Sequence, residues 1–211
     1  MAELTAIRGI LARVPVVPVL VIEEIEHAAP LARALCAGGL TVLEITLRTP
    51  VALAAIEAMR AAEPTAIVGA GTLTRPAEMA QARAAGAQFG VTPGLTRELA
   101  AAASAAALPL LPGIMTPTEL VAAREAGYDT LKFFPAQQAG GIAMLQAFAG
   151  PFAEARFCPT GGITRENAPS YLELGNVLCV GGSWPAPAAL VRRGDWAGIE
   201  KLAREASSLK R

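Results

Sequence analysis

Two charged residues stand where the surrounding pattern asks for core. Lys132 lies inside YDTLKFFPA, and Glu44 lies inside TVLEITLRT. Both stretches are apolar and rich in β-branched or aromatic residues, the composition of a buried strand. An apolar setting disfavours a charged ammonium. A lysine held partly neutral near pH 7 attacks a carbonyl carbon. The products are a carbinolamine and then an iminium, an electron sink that permits cleavage of a nearby C–C bond. Dehydration and cleavage each require a proton to move, and a carboxylate within reach, Glu44, is suited to act as general acid and base. Strand alternation puts Glu44, Thr46 and Arg48 on one face, with Arg48 roughly 13 Å beyond Glu44 at about 3.3 Å per residue. A guanidinium there is suited to hold a substrate carboxylate bidentately. A structural reading competes, in which Lys132 and Glu44 form a buried ion pair and no more.

Glycine pairs supply a second anchor. CPTGGIT carries Gly161 and Gly162, and CVGGSW carries Gly181, Gly182 and Ser183. Backbone N–H groups in such turns form an anion nest. Either pair alone reads as a simple turn. Two pairs at the ends of consecutive strands, with a serine beside one, favour phosphate.

These groups need a frame that gathers strand ends in one place. Eight apolar runs alternate with alanine-rich amphipathic segments, beginning with VVPVLVI at Val16 and ending with NVLCVGGSW at Asn176. The runs between them start at Thr41, Ala66, Ala87, Leu108, Tyr128 and Ala155. Near-continuous apolar strands imply burial on both faces, as in a parallel sheet whose crossovers are helices. Ala-Gly recurs at Ala37–Gly39, Ala85–Ala87 and Ala126–Tyr128, where glycine suits a helix C-terminus feeding the next strand. Strand starts fall about 20 to 27 residues apart, the scale of one compact βα unit. The expectation is an α/β fold: a single (β/α)8 barrel over residues 1–211, with an extra helix before Val16 and the site at the C-terminal ends of the strands. The rival is an open doubly wound sheet, which needs a topological switch that the pattern does not display.

Composition narrows the function. Lys+Arg and Asp+Glu are 18 each, so there is no basic excess to neutralise a nucleic-acid backbone. Aromatics at 5% also argue against base stacking. No uninterrupted apolar run is long enough to span a membrane. Glu3, Arg8 and Arg13 interrupt the N-terminal apolar pattern, so no signal peptide is expected. The three cysteines lack metal or redox spacing and read as reduced cytoplasmic thiols. His27, the single histidine, is expected on the surface at a helix start.

With these residues in order, the chain resembles the class I 2-keto-3-deoxy-6-phosphogluconate aldolases, also known as 4-hydroxy-2-oxoglutarate aldolases. The likeness rests on GGLTVLEITLRTP, IVGAGTL, FGVTPG, TLKFFPA, RFCPTGGI and VLCVGGSW. The resemblance implies that Lys132 is the Schiff-base lysine and Glu44 the general acid and base. It implies that Arg48 and Thr72 contact the pyruvate half, that Pro93 lines that pocket, and that Gly161, Gly162, Gly182 and Ser183 hold the phosphate. It further implies a homotrimer in the cytoplasm that uses neither metal nor cofactor. The partner is then a phosphorylated keto acid, split to pyruvate and glyceraldehyde 3-phosphate in the last step of the Entner–Doudoroff route, with cleavage of 4-hydroxy-2-oxoglutarate as a second activity.

Two stretches depart from the family pattern. The loop after Lys132 reads PAQQAGG where an acidic residue is expected after Pro-Ala, and Ser183-Trp184 is followed by Pro185 rather than an aliphatic residue. Three alternatives stay open. One is the galactonate-type aldolase, against which Thr160 in C-P-T-G-G speaks. The others are a non-catalytic sugar-phosphate-binding barrel and an isomerase or epimerase using Glu44 as base.

Overall fold

The structure, a computed structural model, describes residues 2–210. Helix α1 (Ala2–Leu11) precedes strand β1 (Val16–Leu20), and α/β alternation follows. The successive elements are α2 (Ala28–Ala37), β2 (Val42–Thr46), α3 (Ala52–Ala62), β3 (Ile67–Gly71), α4 (Pro76–Ala84), β4 (Gly90–Val91) and α5 (Arg97–Ala105). Then come β5 (Leu110–Leu111), β6 (Gly113–Ile114), α6 (Pro117–Glu125), β7 (Thr130–Phe133), α7 (Gly141–Ala149), β8 (Arg156–Pro159), α8 (Ala168–Leu172) and β9 (Val180–Gly182). Helices α9 (Ala188–Arg192) and α10 (Trp196–Ser207) end the fold.

All strand pairs are parallel, in two sheets ordered β5-β4-β3-β2-β1-β9 and β6-β7-β8. Strands adjacent in sequence are adjacent in space, and the last strand lies beside the first. A doubly wound sheet would instead reverse its order at an internal switch point. Pro112 separates β5 from β6. It has no N–H to give a ladder, yet its carbonyl accepts the Lys132 N–H at 2.8 Å. The fifth apolar run is therefore two short strands instead of one, and the fourth shrinks to Gly90–Val91. Between β8 and β9 the contact is reduced to isolated bridges, Phe157 to Val177 and Thr160 to Gly181.

The helices begin and end for local reasons. Thr96 and Thr116 cap α5 and α6 by accepting the Leu99 and Glu119 N–H groups. Glu119 accepts back from Thr116 N–H, which completes a capping box. The Ala-Gly repeats carry the expected left-handed glycines: Gly39, Gly86 and Gly127 have φ of 93°, 89° and 95°. His27 does sit at the start of α2, but it is half-buried, its ring 5.8 Å from that of Trp196. It is therefore not the free surface histidine that its polar neighbours suggest.

Ala107 fills the same left-handed position after α5, with φ of 47°. Its N–H reaches Ser104 O, and Leu108 N–H reaches Ala103 O, each at 3.0 Å, as the glycines' bonds do elsewhere. An L-residue there costs roughly 1–2 kcal/mol, while glycine adds about 0.4–1 kcal/mol of unfolded-chain entropy. Ala107 is exposed, so no packing is lost by trimming it. Ala107→Gly should therefore raise stability by about 0.5–1 kcal/mol, read as a higher denaturant midpoint at unchanged slope. A lower midpoint would contradict the assignment of strain.

Candidate active site

Among the described residues, Glu44 and Lys132 are the only charged side chains that are buried, at 3% and 6% exposure. They come from strands in different sheets, and their Nζ and Oε1 atoms are 3.5 Å apart. Glu44 Oε1 has no hydrogen-bond partner. The pair thus makes an ionic contact while leaving a buried acceptor free, an arrangement able to move a proton. Lys132 Nζ also lies 5.1 Å from the ring centroid of Phe134, the next inward residue. A ring face attracts a cation there, ammonium or iminium. Period-two alternation in the sequence places Phe134 on the face of Lys132 and says no more of it.

Glycines on β3 make the room. A Cβ on Gly69 would meet the Phe89 ring at 2.4 Å, and a Cβ on Gly71 would lie 2.1 Å from Glu44 Oε1. The Phe89 ring therefore fills one level over β3, and the Glu44 carboxylate fills the next. In the sequence Gly71 stands at the end of an apolar run. Its signal was period-two spacing with Gly69 in an otherwise apolar strand.

Arg48 corrects the expected geometry. Strand β2 stops at Thr46, and the Arg48 N–H turns back to Thr46 O at 2.8 Å, so the extended 13 Å reach does not exist. Arg48 is exposed at the rim, and its Nε donates to Thr72 Oγ1 at 3.3 Å. Thr72 follows Gly71 with a left-handed φ of 60°, strained for a β-branched residue and found chiefly where function over-determines it. The Pro93 carbonyl packs on the α-carbon of Gly113, whose register partner is Lys132. Thr46, expected beside Glu44, instead spends its hydroxyl on Leu20 O at 2.8 Å.

The two glycine turns lie side by side through the Thr160–Gly181 bridge. A Cβ on Gly181 would strike Thr160 Oγ1, and one on Gly182 would strike the Trp184 ring. Gly161 and Gly162 have φ of 98° and 74°. The carbonyls of Thr160, Gly161 and Gly162 are taken by Ala136 N–H, Gln137 N–H and Asn167 Nδ2 at 2.8, 3.0 and 3.0 Å. Among the described residues, the N–H groups of Gly162 and of exposed Ser183 meet no acceptor. Free backbone N–H groups in a glycine turn are the donors from which an anion nest is built. Across this turn, Tyr171 donates its hydroxyl to Gln137 Oε1 at 2.9 Å. Burial raises the Tyr171 pKa above its usual value, so it remains a donor at neutral pH.

A parallel β/α frame that brings a buried amine against a carboxylate, with a glycine turn at the end of the next strand, is the arrangement of the lysine-dependent aldolases as a class. The chain belongs to one family of them, the KDPG and KHG aldolases, whose sequence profile matches residues 7–202. It is 52% identical over 202 residues to the KHG/KDPG aldolase of Escherichia coli K12, covering 96% of this chain and 95% of that one. Two crystal structures superpose with a TM-score of 0.93. One is the 2-keto-3-deoxy-6-phosphogluconate aldolase of Zymomonas mobilis with 3-phosphoglycerate, 48% identical and covering 99% of this chain and 98% of that one. The other is the KDPG aldolase of Legionella pneumophila with pyruvate captured as a covalent carbinolamine, 47% identical and covering 95% and 98%.

Gly71→Ala tests how the carboxylate is held. The added methyl must push Glu44 aside, and a shift of about 1 Å at a reacting group costs about 10²-fold in rate. Overpacking costs about 1–3 kcal/mol of stability. The variant should remain folded by circular dichroism while kcat for aldol cleavage falls about 10²-fold. Unchanged kcat would show that the carboxylate has no fixed catalytic position.

Proposed function

We propose that the chain cleaves 2-keto-3-deoxy-6-phosphogluconate to pyruvate and glyceraldehyde 3-phosphate through a Schiff base on Lys132, and also splits 4-hydroxy-2-oxoglutarate to pyruvate and glyoxylate. The observation that carries the reading is the buried Lys132–Glu44 contact at 3.5 Å. The relatives, KHG/KDPG and 2-dehydro-3-deoxy-phosphogluconate aldolases, support the gluconate substrate over the galactonate one. A purely binding barrel gives no reason to bury two charges, and an epimerase gives no reason for the lysine.

In this reading Lys132 Nζ adds to C2 of the keto acid. Glu44 passes a proton to the carbinolamine oxygen, water leaves, and the iminium forms. Glu44 then takes the proton of the C4 hydroxyl. The C3–C4 bond breaks, its electrons pass to the iminium, and the aldehyde departs, leaving an enamine. Protonation at C3 and hydrolysis release pyruvate and restore the amine. Arg48, fixed by Thr72, holds the substrate carboxylate at the rim, and Pro93 lines the pyruvate pocket. Gly161, Gly162, Gly182 and Ser183 receive the phosphate, and Thr160 before them is a further substrate contact. The Phe134 ring face favours the cationic iminium.

The reading extends to the architecture and setting. The β5–Pro112–β6 continuity and the β8–β9 bridges support one (β/α)8 barrel as a single catalytic domain, with α1 as the extra helix. Val21, Met115 and Val121 are large apolar side chains left exposed, surface that a homotrimer would cover. Work in the cytoplasm on the last Entner–Doudoroff step completes it.

Borohydride reduction in the presence of pyruvate should fix a covalent adduct on the intact protein, mapped by mass spectrometry to the peptide holding Lys132 and lost in Lys132→Ala. An unmodified wild-type protein, or an adduct on another lysine, would refute the assignment.

A further inference from the structure

The loop that leaves β7 passes Phe134 and Pro135 and places Gln137 against the glycine turn. Ala136 and Gln137 N–H lace the loop to Thr160 O and Gly161 O at 2.8 and 3.0 Å. The Gln137 side chain lies directly under Gly162, where an added Cβ would come within 2.5 Å of Gln137 Cβ. Gly162 is thereby required to be glycine, and Gln137 is held next to a turn N–H, that of Gly162, which meets no acceptor among the described residues.

The amide is also oriented. Its Oε1 accepts the Tyr171 hydroxyl at 2.9 Å, from a tyrosine that is 1% exposed. Its Nε2 has no acceptor among the described residues, and the side chain is open to solvent. A carboxylate at this position would accept from Tyr171 equally well. The tyrosine contact therefore does not need an amide. What the amide adds is a donor, and it removes a negative charge from the edge of an anion nest.

We infer that Gln137 is a specificity-determining residue of this chain, its Nε2 donating to the phosphate group held on the Gly161–Gly162 turn. The inference rests on the phosphate reading proposed above. A neutral donor to a charged acceptor contributes more than an ordinary hydrogen bond. A carboxylate there would both lose the donor and repel the dianion.

The test compares kcat/KM for 2-keto-3-deoxy-6-phosphogluconate with kcat/KM for 4-hydroxy-2-oxoglutarate, which carries no phosphate. Gln137→Ala should lower the ratio of the two about tenfold, equivalent to about 1.4 kcal/mol, mainly through KM for the phosphorylated substrate. Gln137→Glu should lower it further, and should weaken competitive inhibition by inorganic phosphate in the same order. Borohydride trapping of pyruvate on each variant verifies that the amine end is intact. If the ratio stays constant in both variants but falls in Ser183→Ala, the phosphate reading stands and the role of Gln137 is refuted. If the ratio stays constant in all three, the phosphate reading falls with it. Equal loss on both substrates would make Gln137 a support of the loop and overturn the inference.

Discussion

An amine and a carboxylate buried against each other set the terms for the rest of this molecule. At 3.5 Å and an effective dielectric near 20, their attraction is about 5 kcal/mol. Removing each ion from water costs several kcal/mol. The two sums nearly cancel, so the pair contributes little to stability. The surroundings nonetheless give it shape. Gly71 leaves the space that the carboxylate occupies, Phe134 offers its ring to the nitrogen, and Pro112 O fixes the backbone of Lys132. An arrangement that yields little stability and is still this constrained is explained by chemistry.

The site has two ends with different physics. Around Lys132 the protein is closed, with the amine and its carboxylate partner both buried. Around Gly161 and Gly162 it is open, and an anion would be received by backbone donors whose partner carbonyls are already occupied. Arg48 and Thr72 stand at a third point on the rim, joined to the amine end through Gly71. In the proposed reading, a substrate with a carboxylate at one end and a phosphate at the other would span these points. In the same reading, a short keto acid would engage only the amine end and the Arg48 rim, so that one frame would serve both.

Much of this was legible in the chain. Lys132 and Glu44 betrayed themselves as charges in apolar runs, and the Ala-Gly repeats marked helix ends that the backbone angles bear out. Local chemistry is what a sequence displays well. The misses share a physical cause, since each depends on an event outside the local pattern. Pro112 breaks a ladder only because its neighbour strand asks it for an N–H. Arg48 could not be placed because the strand's last residue is set by a turn and not by apolarity. Ala107 adopts a glycine's conformation with no glycine to announce it. The Tyr171–Gln137 contact joins residues 34 positions apart, which spacing does not reveal.

The most direct measurement follows the methyl protons of pyruvate in deuterium oxide by proton NMR, because exchange requires both the iminium and a base beside it. The account predicts rapid loss of the methyl signal with the wild-type protein and none with Lys132→Ala. With Glu44→Gln it predicts exchange slowed by about 10²-fold or more, although pyruvate can still be trapped on the lysine. Exchange at the wild-type rate in Glu44→Gln would show that another group moves the proton, and would contradict the pairing on which the mechanism stands.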